Sequence, residues 1–146
     1  MKSPFFSVKE LVCKHVYERY GENAAMFLDD KLIETLNVIR EQILCAPMTV
    51  NNWHAGGNFT QRGLRCNICE LVKSKTDAGS LYLSAHMLGK AVDCNVEGMT
   101  AEEARRLIIA KQELLPYPIR LEDGVSWLHF DLYKNGKNEK VYLFKA

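Results

Sequence analysis

Apolar and polar positions change period several times along the chain. From Asp29 to about Cys45, the residues Leu32, Ile33, Leu36, Ile39, Ile43 and Leu44 recur at helical spacing, which predicts a core helix ended by Pro47. An earlier helix is expected to open at Ser7, where Glu10 three residues later completes a capping box, and to stop at Gly21. A third opens at Thr100, with Glu103 in the same relation, and runs to about Leu115 before Pro116 and Pro118. Period-two segments predict short strands at roughly 48–50, 90–96, 118–122, 126–133 and 140–145, the last two joined through an Asn135-Gly136 turn. Helices gather in the N-terminal half and strands in the C-terminal half. The expected fold is therefore α+β, an antiparallel sheet with helices packed on one face, in a single domain over residues 1–146.

Alternation also sorts the side chains of two strands. In "SWLHFDLY" Leu128, Phe130 and Leu132 share one face, and Trp127, His129, Asp131 and Tyr133 share the other. In "KAVDCNV" Val92, Cys94 and Val96 turn inward, and Ala91, Asp93 and Asn95 turn outward. If the two strands are antiparallel neighbours, His129 and Asp93 meet on one open face. His86 precedes Asp93 by seven residues, a separation of about 23 Å along straight strand. A turn at Gly89 would bring it back, and a two-histidine, one-carboxylate set would result. Such a set holds zinc and keeps a position open for water, as catalytic sites do.

Composition narrows the partners. Hydrophobic residues make up 47% and charged residues 25% of 146 residues, which fits a folded domain with no bilayer-spanning run. A net charge of +1 with interspersed signs gives no field to gather nucleic acid or an anionic membrane, so a small-molecule or peptide substrate and a monomer are expected. Charged residues interrupt the N-terminal segment, so no signal peptide is read there and synthesis in the cytoplasm is expected. Five cysteines, at 13, 45, 66, 69 and 94, argue against a disulfide framework. Cys66 and Cys69 have metal-ligand or redox spacing, but no second pair follows them, so they are expected to be ordinary thiols. His15 falls inside the first helix and receives no role. His54, in the Gly-rich "NNWHAGGNF", could line the cleft and stabilise an oxyanion or could be polar surface, and Trp53 and Trp127 suit cleft walls.

"SAHMLGKAVD" resembles the S-x-H-x-x-G-x-A-x-D signature of the zinc D-Ala-D-Ala carboxypeptidase and L-alanoyl-D-glutamate endopeptidase family, matching at Ser84, His86, Gly89, Ala91 and Asp93. "SWLHFD" resembles that family's second motif around a strand histidine, and "RGLRC" its upstream arginine element. The resemblance spans roughly residues 48–133. It implies a hedgehog/DD-peptidase-like fold, one zinc ion held by His86, Asp93 and His129, and a peptidoglycan stem peptide as substrate. It also implies Arg65, or failing that Arg62, as the cation that grips a substrate carboxylate. Ser84 would hydrogen-bond near the metal or substrate, or serve only the turn. A phage-type endolysin, released to the wall by a lysis system, fits this picture.

One position departs from the family. The general base usually stands three residues before the second histidine, where this chain has Ser126. In the related hedgehog signalling domain the corresponding acid lies six residues ahead, which matches Asp123. Asp131 is the second candidate, as base or as a ligand's hydrogen-bond partner, and Glu122 follows. A zinc-containing module that binds cell-wall or other peptides without turnover is the alternative reading.

Overall fold

The computed structural model describes every residue except Asn135, so the expected Asn135-Gly136 turn falls partly outside the described residues. Among the described residues five α-helices, α1 (Val8–Leu11), α2 (Lys14–Tyr20), α3 (Asp30–Val38), α4 (Glu70–Asp77) and α5 (Ala101–Ala110), accompany five strands, β1 (Met48–Thr49), β2 (Ala91–Val96), β3 (Ile119–Glu122), β4 (Leu128–Asp131) and β5 (Val141–Phe144). The strands form one sheet in the order β1-β2-β4-β3-β5. The architecture is α+β, as the patterning predicts. No helix among the described residues is long and apolar enough to cross a membrane.

Both capping boxes form: Glu10 reaches back to the Ser7 backbone, and Glu103 to that of Thr100. The first predicted helix is nevertheless broken in two. Val12 is extended and bridges Leu64 in parallel, and the Cys13 amide donates to the Leu64 carbonyl at 3.0 Å. A tertiary contact has overridden a helical pattern that contains no glycine or proline. The second predicted helix continues beyond α3 as a wider π-type turn over Ile39–Ile43. Helix α4 lies in a segment with no predicted element; only Val72 of it is buried, so it carries little apolar period.

The sheet corrects one expectation. It is mixed rather than wholly antiparallel, because β5 pairs in parallel with β3 from Ile119↔Val141 to Glu122↔Phe144. Strands β4 and β5 are therefore not hairpin neighbours; β3 lies between them. The chain leaving β3 runs through β4 before returning as β5, and that long excursion supplies the crossover a parallel pair requires.

One face of the sheet packs on the helices. Leu32, Leu36, Ile39 and Ile108 from the helical layer and Val92, Leu121, Leu128 and Phe130 from the strands are all buried in one apolar core. Helix α5 lies against β2 and β4. Its Arg105 is buried and donates to the carbonyls of Glu122, Val125 and Trp127, at 3.4, 3.1 and 3.2 Å, which holds the β3–β4 connection in place. The opposite face carries the polar side chains.

Candidate metal centre and adjoining groove

Strand register sets out the polar face. Asp93 on β2 lies opposite His129 on β4, and Arg120 on β3 lies opposite Asp131 on β4. Continuing the second register brings Glu122 beside His129, with Oε2 4.0 Å from Nδ1. His86 arrives from a 3-10 turn, Ala85–Leu88, whose first amides are capped by Ser84: its Oγ accepts from the His86 amide at 3.1 Å. Gly89 ends that turn in the left-handed region at φ 66°, and a Cβ there would run into the Phe27 carbonyl. The position therefore needs glycine for its backbone angle and for the close approach.

Each imidazole is fixed at one nitrogen and turned toward Asp93 with the other. His86 Nδ1 lies 2.9 Å from the Gly63 carbonyl, and its Nε2 lies 3.3 Å from Asp93 Oδ2. His129 Nε2 lies 2.8 Å from Asp131 Oδ2, and its Nδ1 lies 2.7 Å from Asp93 Oδ1. A backbone carbonyl behind one histidine and a carboxylate behind the other are the partners that orient metal-binding imidazoles. His86, Asp93 and His129 offer donor atoms within 4.8 Å of one another and could hold a metal ion. All three are largely buried, at the floor of a cavity whose walls include the Ser84–His86 turn and Phe144.

The charges are mutually stabilised. Burial by itself would lower the His129 pKa, yet the hydrogen bonds to Asp131 and Asp93 raise it to about 9. Burial would raise Asp93, but His129 and His86 hold its carboxyl well below the usual range. Asp131 is held low in the same way by His129 and by Arg120, whose Nε and Nη2 lie 2.8 and 2.9 Å from its two oxygens.

A cavity of about 290 Å³ opens on this centre, lined by Arg65, Ser84, His86, Asp93, Glu122, Trp127 and His129 among others. It shares Arg65, Asp93 and Trp127 with a neighbouring cavity of about 520 Å³ that includes Phe59, Arg62, Asn95 and Ser126. Together they form a groove. Arg65 reaches the centre, but its Nη2 lies 3.2 Å from Asp93 Oδ2 and its Nε donates to the Gln61 carbonyl, so its fork is already engaged. Arg62 stacks on Phe59 at 4.1 Å and donates from Nη2 to Asn95, while its buried Nη1 has no hydrogen-bond partner.

The remaining candidates divide. Asp131 is fully buried behind His129 and accepts from His129, Arg120 and the Tyr133 amide. Asp123 lies outside the cavity; it is 39% exposed, accepts from the Gly124 amide and faces Arg105 at 3.9 Å. Glu122, one residue earlier, points the other way by strand alternation and lines the cavity. His54 is exposed, packs edge-on against Trp53 and lines neither cavity. Arg120 was not among the candidates, though its two-residue offset from Glu122 was the available signal.

A second group could also hold a metal ion: Cys13, His15, Cys66 and Cys69 offer donor atoms within 4.8 Å of one another. The partner pair for Cys66 and Cys69 precedes them in sequence rather than following. The chain matches no known protein family, no curated protein and no solved structure.

Proposed function

We propose that the chain is a zinc-dependent peptidase acting on peptidoglycan stem peptides, of the D-Ala-D-Ala carboxypeptidase or L-alanoyl-D-glutamate endopeptidase type, on a hedgehog/DD-peptidase-like fold. The observation that carries this reading is the convergence of His86, Asp93 and His129 beside Glu122 at the floor of a groove. The donor set suits zinc: two oriented imidazoles and one carboxylate. Bound there, zinc would keep a position for water, lower that water's pKa to about 7 and polarise a peptide carbonyl.

The side chains divide the rest of the work. Glu122 takes the proton of the attacking water at its Oε2 and delivers it to the leaving amine. Asp131 keeps the Nε2 proton of His129, leaving Nδ1 to bind. Arg65 holds Oδ2 of Asp93. Arg62, with a buried donor to spare, suits the substrate carboxylate better than the already paired Arg65. Trp127 walls the groove between the two cavities.

The non-catalytic binding module is favoured only by Ser126 at the family's acid position. Glu122 in the cavity weighs against it. Metal content and hydrolysis of a stem peptide, measured together on wild type and Glu122→Gln, separate the two. The peptidase reading expects equal zinc and a turnover about 10²- to 10⁴-fold lower in the variant. A zinc-loaded wild type that cleaves no stem peptide would establish the binding module instead.

A further inference from the structure

The second cluster has its own geometry. A tetrahedral zinc with Zn–S of about 2.3 Å and Zn–N of about 2.0 Å puts two sulfurs about 3.8 Å apart and sulfur and nitrogen about 3.5 Å apart. In the chain, Cys66 Sγ lies 3.8 Å from Cys69 Sγ, and His15 Nδ1 lies 3.5 Å from Cys66 Sγ and 3.7 Å from Cys69 Sγ. The fourth donor, Cys13 Sγ, is within 4.8 Å of the others. The three distances among His15, Cys66 and Cys69 match one face of a coordination tetrahedron, Cys13 stands within reach of the remaining corner, and the two sulfurs of the C-x-x-C pair are far outside the roughly 2.05 Å of a disulfide.

Two chain segments meet to make the cluster. Cys13 is the N-cap of α2, His15 lies in its first turn, and Cys69 is the N-cap of α4. Cys66 stands at the start of the turn into α4, with the Cys69 amide donating back to its carbonyl at 3.2 Å. The Val12–Leu64 bridge and the paired bonds Cys13 to Leu64 and Leu64 to Leu11 draw the two segments together. Gly63 permits that approach, since a Cβ on it would strike the Leu11 carbonyl. Cys13 and Cys69 are buried, while Cys66 is partly exposed and His15 exposed, so a metal has a path in.

We propose that Cys13, His15, Cys66 and Cys69 form a second, structural zinc site. Four protein donors fill a tetrahedron and keep no position for water, which sets this site apart from a catalytic one. Its placement gives it a task. The loop it pins, residues 61–66, carries the Gly63 carbonyl that orients His86, the Arg65 guanidinium on Asp93, and the Arg62 carbonyl that accepts from the Asp93 amide at 2.7 Å. The structural zinc thereby fixes the loop behind the first centre and ties the N-terminal helices to it. The site stands whether or not the first centre is catalytic.

Metal replacement on the full chain tests it. Metal-free protein titrated with cobalt(II) is expected to develop intense thiolate-to-cobalt charge-transfer absorption in the near ultraviolet. That band should persist in a His86→Ala/His129→Ala variant, since the first centre contains no sulfur, and should disappear in Cys66→Ser. In zinc-loaded wild type, Cys13, Cys66 and Cys69 should resist a thiol reagent that labels the exposed Cys45, and a chelator should release all three. The wild-type measurements decide the matter if Cys66→Ser does not fold. A wild type with no charge-transfer band, thiols whose reactivity zinc leaves unchanged, or a Cys66–Cys69 disulfide in protein purified with zinc would overturn the site.

Discussion

The work of a carboxylate in this centre depends on which side of its strand it leaves. Asp123 and Glu122 are adjacent in sequence, yet only Glu122 faces His129. Asp123→Asn should accordingly leave hydrolysis of a stem peptide unchanged within a factor of about two, because the lost charge is partly exposed, lies outside the cavity and faces Arg105 at 3.9 Å. A 10²-fold loss in that variant would return the base to Asp123. Asp131 is different again: it borders the same cavity but is fully buried, and its oxygens are taken up by His129 and Arg120. Asp131→Asn is expected to weaken zinc binding at the first centre about 10- to 100-fold, read by competition with a chelator, because the imidazole loses its orienting partner. Unaltered affinity would show that Arg120 and Asp131 serve the fold alone. Period-two alternation made the shared face of His129 and Asp131 legible in the sequence. It could not rank Glu122 over Asp123, because the strand's phase against β4 is fixed by pairing that only the folded sheet reveals.

At the scale of elements, long periodic segments and capping boxes were readable, and so were all five strands. What escaped was decided by contacts distant in sequence. The break between α1 and α2 follows from the Val12–Leu64 bridge, and the place of β5 follows from its choice of β3 over β4. The metal-ligand spacing of Cys66 and Cys69 was visible, but their partners lie about fifty residues earlier, beyond any local pattern. Two substitutions probe the supports. Gly89→Ala should destabilise by more than about 1 kcal/mol, since alanine must adopt a left-handed angle and its Cβ meets the Phe27 carbonyl. Arg105→Leu should cost about 2–3 kcal/mol by stranding the carbonyls of Glu122, Val125 and Trp127. Denaturant midpoints with an unchanged slope check both, and a loss below about 0.5 kcal/mol in either would remove that support from the account.

Across the whole molecule, the charges of the first cluster make the stability of the metal-free protein depend on pH. In metal-free protein His129 is raised from 6.5 to about 9. Its contribution is fully present below about pH 6.5 and is lost as the pH rises through about 9. Asp93 is depressed, so its contribution is present above the ordinary carboxylate pKa and is lost as the pH falls through its folded value. Denaturation of metal-free protein should therefore be hardest between about pH 4 and pH 6.5 and easier by about pH 9.5. Zinc bound at the first centre, as proposed, would take the place of the Nδ1 proton on His129 and should flatten the alkaline limb; an alkaline limb absent from the metal-free protein would contradict the His129–Asp93 pair as drawn. The most direct test of the central claim is the release of new amino termini from purified peptidoglycan by zinc-loaded wild type and by His86→Ala. The account predicts release by the wild type and none by the variant, which keeps sulfur-bound metal at the second site. Cleavage by His86→Ala at the wild-type rate, or none by the wild type, would contradict it.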